Sequence, residues 1–273
     1  MSSYDLKRIQ KIELEIFDEF QKLCKNNDLL FFLVGGTCLG AIRNQGMIPW
    51  DDDIDLSMPR ADYEKLKQIA EVKLGKNYFF QHFENEENCG FIFGKIRRNE
   101  TILSETYSYK LPFHQGVWID IFPYDNISDN KFIRRWDFIR FAFYKNIYII
   151  KCGYSMPEGK PGYYQIFYSI AKFISKFFNR KRLIKKLKMI MTRHKDKQTD
   201  YVYPYGGAYG EKDILPKNVF ENPLEIDFEN RKAFVYHNYD MYLKSLYNDY
   251  MKLPPIDKRN GGSHFIHEFK DYI

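Results

Sequence analysis

The stretch from Val34 to Arg60, VGGTCLGAIRNQGMIPWDDDIDLSMPR, constrains the fold more than any other part of the chain. Two adjacent glycines are followed by four aspartates within five residues: Asp51, Asp52, Asp53 and Asp55. Carboxylates crowded in this way repel one another unless a cation or protons lie between them. The run LLFFLV (Leu29–Val34) before the glycines is short and fully apolar, which predicts a buried strand ending at Gly35-Gly36. After the glycines, residues 37–43 suit a short helix or turn. Asp53–Met58 then alternates acidic and apolar residues, the pattern of a second strand. That alternation puts Asp51, Asp53 and Asp55 on one face and Ile54, Leu56 and Met58 on the other, toward a core. Asp52 falls off the acidic face and is the acid expected to tolerate change.

Oxygen-only ligands suit Mg2+ or Mn2+, which keep waters and accept phosphate oxygens. A Gly-Gly turn after a buried strand lets backbone amides approach such a phosphate. A calcium loop is excluded, because Leu56 stands where its sharp turn needs glycine and Pro59 falls inside it. A further acid, Asp120, interrupts the apolar strand of GVWIDIFPYD. Burying it requires a cation or a donor, so an ion pair, metal coordination and general-base work all fit. Lys95 and Arg97 alternate along FIFGKIRR and, with Arg43, are candidates to neutralise phosphate charge or plain surface cations.

Elsewhere, helical spacing of Leu6, Ile9, Ile12, Ile16, Phe20 and Leu23 predicts a first helix over residues 5–25. A helix follows the aspartates at Ala61–Lys73, then strands at Tyr78–Phe83, Phe91–Arg97 and Val117–Phe122. Residues 131–150 and 163–194 read as long basic helices, and a helix is expected near Tyr236–Tyr250 in a loop-rich tail. The division is one domain over residues 1–273, with a basic helical insertion at 126–197 and a tail at 198–273.

The net charge of +6 conceals an asymmetry: residues 131–197 carry 18 Lys/Arg against three acids. A basic block in an otherwise acidic body implies an anionic partner on one face. In QIFYSIAKFISKFFNRKRLIKKLKMIM the apolar residues recur at near-helical spacing among lysines and arginines. That suits either a membrane surface, contacted through 163–194, or an ordinary packed helix with a solvated face. No aromatic-basic motif of an RNA module is present, so no nucleic acid is expected. Four dispersed cysteines form no CxxC pair, which argues for reduced thiols and against a zinc site. The charged N-terminus lacks the apolar core of a secretory signal, so the expected location is cytoplasmic, with peripheral contact at the inner membrane face.

The stretch GGTCLGAIRNQGMIPWDDDIDLSMPRADYE resembles the signature of the LicD family, which includes bacterial phosphocholine transferases and, more distantly, fukutin-type sugar-phosphate transferases. The likeness continues through GKIRRNET, GVWIDIFPYD, VYPYGGAYGE and YDMYLKSLYNDYMKLPPIDKRNGGSH, and is weakest over residues 126–197. It implies a nucleotidyltransferase-like α/β (α+β) fold, a small mixed sheet flanked by helices. It further implies that Gly35 and Gly36 form the turn, Asp53 and Asp55 the metal pair, Asp120 the third acid and Asp51 an additional one. The implied reaction moves phosphocholine, or a related alditol or sugar phosphate, from a CDP-linked donor such as CDP-choline. The acceptor is a hydroxyl of a cell-surface glycan, in teichoic acid, capsule or lipopolysaccharide, which can be built on a lipid carrier. Arg259 and His264, in the family-like tail, either close over the donor or belong to a surface tail. The alternative on the same fold is a nucleotidyltransferase that adds a nucleotide from an NTP to a small molecule. Quaternary ammonium groups are bound by aromatic faces, and Trp50, Trp118 and Tyr124 lie near the motifs, where core packing is the other role open to each.

Overall fold

The computed structural model describes residues 3–105, 107–154, 162–259 and 264–268. In chain order the elements are α1 (Ser3–Lys25), β1 (Phe32–Leu33), α2 (Gly35–Asn44), β2 (Asp55–Pro59), α3 (Arg60–Lys73), β3 (Tyr78–His82), β4 (Gly94–Arg98), β5 (Ile102–Glu105) and β6 (Trp118–Ile127). Then come α4 (Lys131–Lys151), α5 (Gly162–Ser175), α6 (Arg180–Met191), β7 (Tyr201–Tyr203), β8 (Leu215–Pro216), β9 (Leu224–Phe228), β10 (Arg231–Val235), α7 (Tyr239–Tyr247) and β11 (His264–Glu268). The principal sheet runs β1-β2-β6-β4-β3, with β7 added beside β6 and β8 beside β7. Only β2 and β6 are parallel; the other pairings in it are antiparallel, so the sheet is mixed, as expected.

The helix α1 turns Ile9, Ile12, Ile16 and Phe20 fully inward, following its 3.6-residue apolar spacing. In α3, Tyr63, Leu66 and Ala70 do the same. Arg60, at the start of α3, forks onto the buried Asp125 of β6 at 2.7 and 2.6 Å, tying helix to sheet by a bidentate pair.

The structure departs from the pattern reading at three places. The strand expected over Asp53–Met58 begins only at Asp55: the preceding aspartates lie in an irregular segment held by Gln10 of α1, whose side-chain amide donates to the Asp51 carbonyl at 2.8 Å. The helix expected over 163–194 is two helices, because Asn179 caps a new one, its side chain accepting from the Arg182 amide at 2.8 Å. The tail, expected to be loop-rich with one helix, holds five short strands among the described residues (β7 to β11) besides its helix.

Buried apolar side chains fall into two clusters. One lies under the sheet, α1, α3 and α7. The other gathers Phe141 and Tyr148 of α4 with Leu183, Leu187, Ile190 and Met191 of α6. All four cysteines are free and buried.

Candidate active site

Strand register builds the site. Across the parallel pair, Asp55 of β2 stands beside Asp120 of β6; across the antiparallel pair, Asp120 stands opposite Lys95 of β4. Residues in register on neighbouring strands share a face about 5 Å apart, so Asp55, Asp120 and Lys95 form one row over three strands. The Lys95 ammonium closes on Asp120, 2.7 Å from Oδ1 and 3.0 Å from Oδ2. It also lies over the Trp118 ring at 4.2 Å and near the Phe91 and Phe93 rings at 5.2 Å each. The backbone amide of Asp120 donates to the Ile54 carbonyl at 2.8 Å, which carries the pairing one residue beyond β2.

Gly35 and Gly36 are the first two residues of α2, so the helix N-terminus points its free amides and positive dipole end at this region. Gly35 adopts φ +56°, and a Cβ there would come within 3.2 Å of Asp55 Oδ2. At Gly36 a Cβ would fall 2.8 Å from Asp51 Oδ2, closer than a methyl group tolerates. The glycines therefore let two carboxylates approach the helix end. The Gly35 amide is already engaged, donating to the Tyr242 hydroxyl at 2.9 Å.

The carboxylates raise one another's affinity for protons. Burial, then Asp52, lifts Asp51 to about 6; burial, then Asp51 and Asp120, lifts Asp53 to about 7. Asp55 is pushed well up by burial and by Asp53 and Asp120. Burial raises Asp120 against the opposing pull of Lys95. A sixth acid joins them from α1: Glu13 is fully buried and raised first by burial and then by Asp53, Asp52 and Asp51. Its Oε2, like Asp55 Oδ1, is buried without a hydrogen-bond partner. The sequence does carry a sign of Glu13, which sits on the apolar stripe of α1 between Ile9 and Ile16. Asp52 is also buried, contrary to its expected tolerance of change.

The cations expected at the site divide. Lys95 belongs to it. Arg97 is buried along the same strand, but its guanidinium is held by the Gln81 side chain, the Gly116 carbonyl at 2.7 Å and the Trp118 ring at 4.8 Å. Arg43, at the end of α2, donates to the Tyr250 carbonyl at 3.1 Å, and partial burial and the charge of Arg259 lower its proton affinity. Arg259 lies over the Trp50 ring at 5.2 Å, so the tail brings a second guanidinium close enough to act on Arg43. His264 opens β11, whose backbone pairs with Glu105 of β5; its side chain lies outside the described residues.

Beside Asp55 is a small cavity that pattern reading did not anticipate. Its walls include Asp55, Phe122, Tyr124, Tyr209, Asp213 and Tyr242. Asp213 is buried and accepts the Tyr209 amide at 2.9 Å; among the described residues no Lys, Arg or His pairs with it. Burial raises Asp213 to about 6. Tyr209 stands edge-on to Tyr247, ring centroids 5.7 Å apart, and feels both Asp55 and Asp213. Of the three aromatics singled out near the motifs, Tyr124 lines this cavity, Trp118 packs against Lys95 and Arg97, and Trp50 against Arg259.

Among the described residues no three Asp, Glu, His or Cys side chains are gathered into a finished metal cage. The donor set nonetheless suits a hard cation. Such an ion needs one or two carboxylates and completes its shell with water and phosphate oxygens, and Asp55 Oδ1 and Glu13 Oε2 are buried and unsatisfied.

A mixed sheet with crowded carboxylates beside a Gly-Gly helix start is the setting of a transferase acting on phosphates. Residues 28–149 match the family model described as LicD/FKTN/FKRP, nucleotidyltransferase domain. Over that stretch, which carries Asp55, Lys95 and Asp120, the chain is similar to the LicD family of transferases. It is 29% identical, over 98% of its own length and 98% of the relative's, to the lipopolysaccharide cholinephosphotransferase LicD of Haemophilus influenzae. Shorter matches link it to uncharacterised proteins of Rickettsia typhi (31% identical over 30% of this chain and 28% of that one) and Rickettsia prowazekii (36% over 20% and 21%).

Proposed function

We propose that the protein transfers phosphocholine from a CDP-linked donor, CDP-choline, to a hydroxyl of a lipopolysaccharide glycan. The observation that carries this reading is the Asp55–Asp120–Lys95 row beside the start of α2, within a chain similar along its length to a cholinephosphotransferase. Asp53 and Asp55, with Asp51 and Glu13 close by, are the residues to hold Mg2+ or Mn2+. When bound, the ion would neutralise the diphosphate as the acceptor oxygen displaces CMP. Asp120 takes the proton from the acceptor hydroxyl, and Lys95, already paired with it, aims its carboxylate and opposes the rise in proton affinity that burial causes. Arg43 and Arg259 form a cationic rim for the phosphates, which relieves their mutual repulsion.

The cavity beside Asp55 is the place for the choline head. A buried carboxylate with no cation of its own, enclosed by tyrosine and phenylalanine rings, is the setting a quaternary ammonium needs. The head group would lie beyond the phosphate that the Asp55 side engages.

The test is CMP release from CDP-choline with Mg2+ and a lipopolysaccharide acceptor, in wild type and in Asp53→Ala and Asp55→Ala variants whose fold is checked by circular dichroism. Loss of release in the folded variants supports the reading. Retained turnover would sink it, and pyrophosphate release from CTP would favour the nucleotidyltransferase alternative.

A further inference from the structure

The helices of the basic insertion carry more apolar surface than their core uses. Phe141 and Tyr148 of α4, with Leu183, Leu187, Ile190 and Met191 of α6, complete the second cluster. Yet α4 has a second apolar stripe, Phe132, Trp136, Ile139 and Phe143, at spacings of four, three and four residues, which is one helix face. Phe132 is 87% exposed and Trp136 59%. The helix α5 repeats the pattern with Ile166, Ile170 and Phe173, all exposed, and Phe177 just beyond its end is 71% exposed. The two helices pack on each other, and ring contacts run from Phe143 through Tyr144 to Phe178 and from Phe173 to Phe177. Scattered exposed apolar residues are ordinary on a protein surface; two periodic stripes on adjacent helices are not.

Charge identifies what covers them. The three helices α4, α5 and α6 contain thirteen Lys/Arg and one acid, Asp137. That acid is buried and already paired with Arg193 and His194. Lys131, Arg135, Lys172, Lys176, Lys181 and Lys185 are exposed, so the apolar stripes are set among cations with no exposed carboxylate on these helices. Aromatic and aliphatic side chains at the depth of lipid headgroups, flanked by Lys and Arg reaching anionic phosphates, are the physics of a helix lying in a membrane interface. A second copy of the same face would set these cations against one another. Among the described residues no helix is long and apolar enough to cross a membrane, so the contact is one of lying on the surface.

We infer that the outer faces of α4 and α5 form a docking surface for a bilayer carrying anionic phospholipid. The surface differs from the one expected over 163–194, because α6 turns Leu183, Leu187, Ile190 and Met191 into the core and contributes chiefly its lysines and arginines.

The experiment is flotation of the full chain with phosphatidylcholine vesicles, with and without 30% phosphatidylglycerol (about one anionic lipid in three), at low and moderate salt. The protein should float with the anionic vesicles, less so as salt rises, and Trp136 fluorescence should shift to the blue on binding. Trp136→Ser with Phe173→Ser should reduce the floated fraction about tenfold, and Lys181→Glu with Lys185→Glu should do so as well. All four side chains are exposed, so circular dichroism and CMP release with a water-soluble acceptor should match wild type. Failure to float with either vesicle would overturn the inference. So would flotation indifferent to both pairs of substitutions, or a dimer in lipid-free solution that Trp136→Ser abolishes.

Discussion

Asp55 and Asp120 stand in register on the parallel strand pair β2 and β6, with Lys95 paired to Asp120 and, among the described residues, to no other acid. The row is therefore asymmetric: one carboxylate has its counter-ion, and the other keeps a buried oxygen without a partner. That asymmetry separates an anion left open for a cation from one held ready beside it.

Removing charge from the open side should cost activity and favour folding. Asp55→Asn is expected to lower turnover on the order of 10³-fold, the scale of losing a metal's charge stabilisation. It should also raise the melting temperature in the absence of divalent ions, because burial and the repulsion from Asp53 and Asp120 that lift Asp55 are relieved. Mg2+ should raise the melting temperature of wild type and leave that of Asp53→Asn/Asp55→Asn nearly unchanged. A single scanning-fluorimetry series with EDTA and with Mg2+ decides both points; a lower EDTA melting temperature in Asp55→Asn would contradict the electrostatics.

On the paired side, removing the cation should be costly. Lys95→Met leaves Asp120 charged among other acids in a buried site, a loss of about 3–5 kcal/mol. Adding Asp120→Asn to Lys95→Met should recover most of that stability while leaving turnover abolished. Urea denaturation of the two single variants and the double measures the coupling, and additive losses would show that the pair is not a unit.

Asp213 should govern which head group is accepted. Asp213→Asn keeps the shape of the cavity beside Asp55 and removes the charge that faces a quaternary ammonium. The expected effect is roughly a tenfold or greater rise in KM for CDP-choline, with little change for CDP-glycerol, whose head is neutral. Parallel losses for both donors would place Asp213 in folding instead.

His114 supplies a pH signature of stability. Its Nδ1 accepts the Gly116 amide at 3.1 Å, so the ring is neutral and Nε2 donates to Asn99 Oδ1 at 2.9 Å. Burial, then Arg97, lowers it to about 4, against about 6.5 for a free imidazole. The unfolded chain binds the extra proton between these values, so this stability is present above about pH 6.5 and lost as pH falls toward 4. Asp51 and Asp53, held higher than free carboxylates, pull the opposite way, so the readout is a difference. The urea midpoint of wild type should fall more than that of His114→Gln between pH 7 and pH 5. Equal falls would remove His114 from the account.

Much of this site could be read from local pattern. Ile54, Leu56 and Met58 are fully buried where alternation places them, and Asp55 between them stands in register with Asp120. Lys95 is a candidate cation from its spacing alone, and register stands it opposite Asp120. The same spacing made Arg97 look equivalent, because alternation reports a face and not the neighbours waiting there; Gln81 and the Gly116 carbonyl already occupy its guanidinium. The apolar residues of 163–194 misled in the same way. Their helical period was real, but only packing shows that α6 faces the core and α5 faces out.

Strand alternation, helix spacing and glycine placement act over a few residues, so the chain's order alone set the acidic face, the glycine turn and the basic helices. Folding decided the partners of those groups. Glu13 reaches the aspartates from α1, the Gly35 amide is taken by a tyrosine 207 residues further on, and Asp213 meets Asp55 across a cavity closed by the tail. A carboxylate's proton affinity and its freedom to bind a cation depend on burial and on charges within a few ångströms. Those distances exist only once the sheet, α1 and the tail have closed around the same space.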